Sequence, residues 1–93
     1  MKQALPRDGV TQDVSEHAQW LIENQGYQKA SNFLDAYHAG IVQIQNHPDS
    51  GSNRLADEVD IPGLQVKDLD GFNKSIFFVN REMYVDVLAV GDT

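Results

Sequence analysis

Apolar residues recur along the first half of the chain at helical spacing. Val14, Ala18, Leu21 and Ile22 fall on one side of such a repeat. Asp13, with Glu16 three residues later, has the form of a capping box and places a helix start near Asp13, while Gly26 supplies the stop. A second stripe follows in Ala30, Phe33, Leu34, Tyr37, Ile41 and Ile44, with Lys29, Asn32, Asp35 and Gln43 turned away and Pro48 closing it. The link around Gly26 is short enough to fold the two helices into an antiparallel hairpin, which leaves a shared apolar face in need of a cover.

The period changes in the second half. Gly63 to Lys67, Ser75 to Asn80 and Tyr84 to Val90 are rich in Val, Ile, Phe and Tyr and are separated by turn signals at Asp70-Gly71 and Asn80-Arg81-Glu82. Three antiparallel strands in a meander are the simplest arrangement. Ile76-Phe77-Phe78-Val79 is a nearly continuous apolar run, which predicts a middle strand buried on both sides or nearly so. In the last segment Val85, Val87 and Ala89 alternate with Tyr84, Asp86, Leu88 and Val90, a pattern only partly two-faced. The stretch from Asn46 to Gly63 is loop by its Pro, Asp, Ser and Gly content, with Leu55, Val59 and Ile61 expected to pin it to the core. The expected class is therefore α+β: a helix hairpin packed on an antiparallel sheet of about three strands.

Composition narrows the picture. The 93 residues suffice for one domain, 1–93, with one core, and without cysteine that core must hold by packing alone. No apolar run is long enough for a membrane span, and no leader precedes the first helix, so a soluble cytosolic protein is the expectation. The formal net charge of -7 opposes any function that relies on general attraction to a phosphate backbone. His17, His38 and His47 lack metal-ligand spacing, Asp35 with His38 is a surface pair, and Asp68-Leu69-Asp70-Gly71 is a hairpin turn lacking the distal ligands of a calcium loop. No residue set calls for a cofactor.

The ordered set His47-Pro48-Asp49-Ser50-Gly51, Ile61-Pro62-Gly63-Leu64-Gln65-Val66, Gly71-Phe72, Ile76 to Val79 and Val85 to Val90, behind a helix hairpin, resembles the RelE/ParE superfamily of toxins from toxin-antitoxin pairs. The ParE branch fits better than the RelE branch. The resemblance runs from about Asp13 to Val90 and implies a further strand before the first helix, for which Lys2 to Val10 offers only a shortened or irregular edge. It implies a cognate antitoxin that wraps the hairpin and sheet and often adds an element to an exposed edge. For the ParE branch it implies DNA gyrase as target, reached by protein binding.

Three positions depart from the family pattern. Gln65, Ser75 and Ala89 stand where family members usually carry Arg. Cleavage of RNA needs proton-transfer groups and positive charge at the phosphorane-like transition state. The cations at or near the sheet are Lys67, Lys74 and Arg81, weak catalytic candidates beside Asp68, Asp70, Glu82 and Asp86, so direct nucleic-acid binding is disfavoured. Candidate partner-binding residues are Trp20, Tyr37, Ile41, Arg54, Phe78 and Tyr84, with Tyr27 as a further aromatic anchor. A ParE-like toxin acting by protein binding is the leading expectation. A degenerate homologue that keeps antitoxin binding and a ribosome-dependent mRNA endonuclease are its alternatives, and homo-oligomerisation stays open.

Overall fold

A computed structural model describes residues 1–92. The elements run β1 (Ala4–Pro6), α1 (Asp8–Gln25), α2 (Tyr27–Asn46), β2 (Leu64–Asp68), β3 (Ser75–Asn80) and β4 (Val85–Gly91). The expected α+β architecture is present: the helices form a hairpin around Gly26, whose φ of 94° suits glycine, and they cover one face of the sheet. Val10, Val14, Ala18 and Leu21 of α1 meet Ala30, Phe33, Tyr37 and Ile44 of α2 over Ile76, Phe78, Val85, Val87 and Val90. Gly40 allows α2 to lie close to the sheet, since a Cβ there would stand 3.0 Å from Ile76 Cδ1.

Two helix details differ from expectation. α1 begins at Asp8, five residues before the capping-box pair, because fully buried Val10 extends the apolar stripe toward the N-terminus. Asp13 is thus inside the helix, where its carboxylate accepts from the Val90 N–H at 3.5 Å. Ile22 lies at the margin of the stripe and is 37% exposed.

The sheet has four strands in the order β1-β4-β3-β2, and β1 pairs in parallel with β4. The irregular N-terminal edge is therefore a three-residue strand, short because Pro6 and the start of α1 end it. β3, flanked by β4 and β2, has four of its six residues buried, as its apolar run predicted. The partial alternation of β4 has a geometric cause. Phe77 pairs with Ala89 and Phe78 with Val87, so Leu88 is the extra residue of a bulge. Beyond it the parity inverts, and Val90 joins Val85 and Val87 toward the helices.

Both outer edges are occupied. On β1, the Ala4 N–H donates to Gln45 Oε1 at 3.0 Å and Pro6 has no N–H; on β2, Val66 exchanges two backbone bonds with Ser52. An added strand would have to displace these contacts, so a partner meets side chains first.

The loop from 47 to 63 is held differently than expected. Val59 and Ile61 are 49% and 37% exposed and do not pin it, whereas Leu55 is half-buried. Gln65 does much of the holding: its Nε2 donates to the Pro48 carbonyl and its Oε1 accepts from the Gly51 N–H, each at 2.9 Å. Gly51 is required by proximity, because a Cβ there would stand 2.7 Å from Phe78 Cζ and 2.8 Å from Gln65 Cβ. The rest of the segment crosses to the sheet face away from the helices, where Leu64, Val66 and Val79 are buried and Arg54 reaches Asp68. It covers the β2 side of that face and leaves the β1–β4 side open.

Candidate functional site

Register decides which side chains share the open half-face. Leu5 pairs with Asp86, Asp86 with Val79, and Ala89 with Phe77, so these residues point away from the helices. Asp86 is the unusual member, an aspartate with a side chain only 6% exposed in the middle of a four-stranded sheet. Two arginines account for it. Arg7, at the junction of β1 and α1, donates from Nε to Oδ1 at 3.1 Å and from Nη2 to Oδ2 at 2.9 Å. Arg81, just past β3, donates from Nε and Nη2 to Oδ2 at 3.2 and 3.1 Å.

The hydrogen bonds from Arg7, joined by those from Arg81 and the charge of both, outweigh burial and hold the Asp86 carboxyl below its usual range. Lys2 completes the group, with its ammonium on Asn80 Oδ1 and the Arg81 carbonyl at 2.6 and 2.5 Å. Of these residues only Arg81 was a candidate from sequence. Arg7 and Asp86 are 79 positions apart, and only the parallel pairing of β1 brings them together.

A second site lies at the opposite end of the sheet. His17, Trp20, Leu21, Lys29, Phe72 and Lys74 line a cleft of about 580 Å³ between the helices and the β2–β3 turn. Its wall is a chain of rings: Trp20 stacks on His17 at 5.8 Å, His17 meets Phe33 edge-on at 4.7 Å, and Phe33 meets Phe72 at 5.3 Å. The Lys29 ammonium lies 5.0 Å above Phe72, and Lys74 pairs with Asp92 at 2.8 Å. Trp20 and Lys74, 54 positions apart in the chain, thus share one concavity.

Burial, and then the nearby Lys74 charge, lower the His17 pKa below that of a free imidazole. The unfolded chain takes up this proton at higher pH than the folded one. Stability from neutral His17 is therefore complete above the unfolded pKa and declines as pH falls toward the folded one. Lys74→Gln removes one lowering cause and leaves desolvation in place. NMR titration of the ring protons is expected to show the midpoint rising but staying below that of an exposed histidine; an unchanged midpoint would disprove the coupling.

The remaining candidates scatter. Phe78 is fully buried and offers no surface in the free chain; Tyr37 is 9% exposed, and burial raises its hydroxyl pKa. Ile41 is half-buried against the helix-side core, Arg54 pairs with Asp68 at 3.3 Å, and Tyr84 is half-buried just before β4. Tyr27 is 78% exposed at the helix hairpin. Lys67 faces a groove beside Ala36, Ala39 and Gly40 of α2. Lys74 and Arg81 flank opposite ends of β3, about 20 Å apart at the rise of a strand, so the three cations do not converge on a common atom. Gln65 and Ser75 are buried, and the Ser75 hydroxyl donates to Asp68 Oδ1 at 2.6 Å, so these two positions serve the interior of the sheet.

No family model matches the chain, and no curated protein matches it in sequence. Comparison of structures finds a chain of the chromosomal ParDE TA (toxin-antitoxin) system from P. aeruginosa with a TM-score of 0.83 and 15% identity, covering 100% of this chain and 97% of that one. The correspondence includes the N-terminal strand, the helix hairpin and the whole sheet. At that identity it is a statement about architecture, and it agrees with the motif order of the sequence: the chain is built on the RelE/ParE fold.

Proposed function

We propose that the chain is the ParE-like toxin of a type II toxin-antitoxin module, acting in the cytoplasm by binding a protein target of the gyrase kind and held in check by a cognate antitoxin. The observation that carries this reading is the end-to-end fold correspondence with a chain of a ParDE system. The dispersal of Lys67, Lys74 and Arg81 favours binding over phosphodiester cleavage, because transition-state stabilisation requires donors aimed at one developing charge. Protein recognition needs only a few anchors in a patch that loses its water.

The test is controlled induction in a bacterial host. Growth is expected to stop and to resume when the small gene beside this one is co-expressed. In vitro, the purified chain should block supercoiling by gyrase and leave translation running. Arrested translation with intact supercoiling would instead identify an mRNA endonuclease. A second reading, a degenerate homologue that keeps antitoxin binding, is favoured by the burial of Gln65 and Ser75, which leaves no exposed cation at either position. Its signature is a stable complex with the neighbouring gene product in cells that grow normally during induction.

A further inference from the structure

Arg7 and Arg81 are engaged with Asp86 but not exhausted by it. A guanidinium has five N–H donors, and each of these spends two on the buried carboxylate, leaving three per arginine uncommitted among the described residues. The arginine side chains are 59% and 43% exposed, yet both are fixed by a shared acceptor. Part of the ordering cost of a new contact has already been met in the free chain. Among the described residues Lys2 bonds to uncharged oxygens, so Lys2, Arg7, Arg81 and Asp86 together carry two positive charges on a chain of net charge -7, with Asp49 held on the far side of Asn80, whose Nδ2 donates to it at 3.0 Å. Asp8 and Glu82 stand next to the arginines in sequence and make no ion pair with them. Alongside lie Leu5, 43% exposed, and half-buried Phe77 and Ala89.

We infer that this half-face docks an acidic segment of another protein. A carboxylate of that segment takes the outward donors of Arg7 and Arg81, and an apolar neighbour covers Leu5, Phe77 and Ala89. One bidentate, charge-assisted pair satisfies a single carboxylate. A nucleic acid would need a run of phosphate contacts, and the acidic remainder of the chain opposes that. The inference rests on the reading of this chain as a protein binder and adds where, and by what chemistry, a partner is held. It does not require that the chain be toxic.

The test is an NMR titration of the full chain with three probes: a synthetic peptide of glutamate and leucine, the same peptide with glutamine for glutamate, and a short single-stranded RNA. The glutamate peptide is expected to shift the Nε–H signals of Arg7 and Arg81 and the amides of Leu5, Phe77 and Ala89. Affinity should drop about tenfold or more with the glutamine peptide and in high salt. Arg7→Lys, which keeps the charge but loses the planar fork, should weaken binding several-fold while the rest of the spectrum stays in place. No shift at these residues, equal binding of the glutamine peptide, or tighter binding of the RNA at the same signals would each overturn the inference. The growth assay separates it from the toxin reading: arrest without peptide binding removes only this docking surface, and binding without arrest removes only the toxicity.

Discussion

A chain in which Arg7 and Arg81 are both replaced by alanine is expected to be markedly less stable at neutral pH, with a lower midpoint in urea unfolding followed by circular dichroism. The source of the loss is Asp86. Its side chain is 6% exposed and, among the described residues, the four hydrogen bonds its carboxylate accepts come from these two arginines, so the double variant leaves a buried carboxylate with no countercharge. Breaking an enclosed ion pair is costly because it leaves the remaining charge desolvated and without a partner. The cost here is smaller than for a fully enclosed pair, because both arginines are substantially exposed and their removal lets water approach.

Each single variant should cost much less than half of the double, since the remaining guanidinium still neutralises the group. Asp86→Asn in the double-alanine background is expected to recover most of the loss. Acid supplies a second check. The folded pKa of Asp86 is lowered, so its contribution is fully present above the ordinary carboxylate range and is lost as pH falls through that range toward the folded value. In the double variant the sign reverses: protonation relieves the buried charge, and the gap to the parent narrows on acidification. A double variant as stable as the parent at neutral pH would show that Asp86 is solvated after all.

This cluster also shows where the sequence was legible and where it was not. The stripe from Ala30 to Ile44 was readable because each residue's environment is set by neighbours three or four places away, and Gly26 and Pro48 mark its ends. The run Ile76 to Val79 was readable as a central strand for the same local reason. The start of α1 was misplaced because Asp13 and Glu16 imitate a cap, while Pro6 and Gly9 obscure the real entry. β1 is three residues long and exists only because β4 offers it a parallel edge, a fact of topology that no local pattern carries. Asp86 looked like an ordinary polar position in a half-buried strand, and its partners could be found only by placing residues 7 and 81 beside it. The bulge at Leu88 is similar: the broken alternation was visible, but not the inserted residue that causes it. The cleft shows the same division, since Trp20 stood out by type, whereas its neighbours His17, Phe72 and Lys74 meet it only across the fold.

Phe78→Ala is expected to destabilise the chain by about 3–5 kcal/mol, by a route different from that of the arginine pair. Phe78 is fully buried at the centre of β3, between Gln65 of β2 and Val87 of β4, and its ring edge comes within 3.0 Å of where a Gly51 Cβ would be. Its removal empties space on the helix side of the sheet and withdraws the surface against which the Pro48–Gly51 turn is packed. The turn keeps its two bonds to Gln65, so collapse into the cavity is only partial. Phe78→Leu should cost roughly half as much, because most of the volume and all of the apolar character remain. Any loss of partner binding in these variants should track the unfolded fraction and vanish when binding is measured well below the melting temperature. Leu5→Ala provides the contrast: 43% exposed on the open half-face, it should change stability little while weakening an acidic peptide. A fully folded Phe78→Ala chain that had lost binding would instead make Phe78 a contact residue, exposed by rearrangement in the complex.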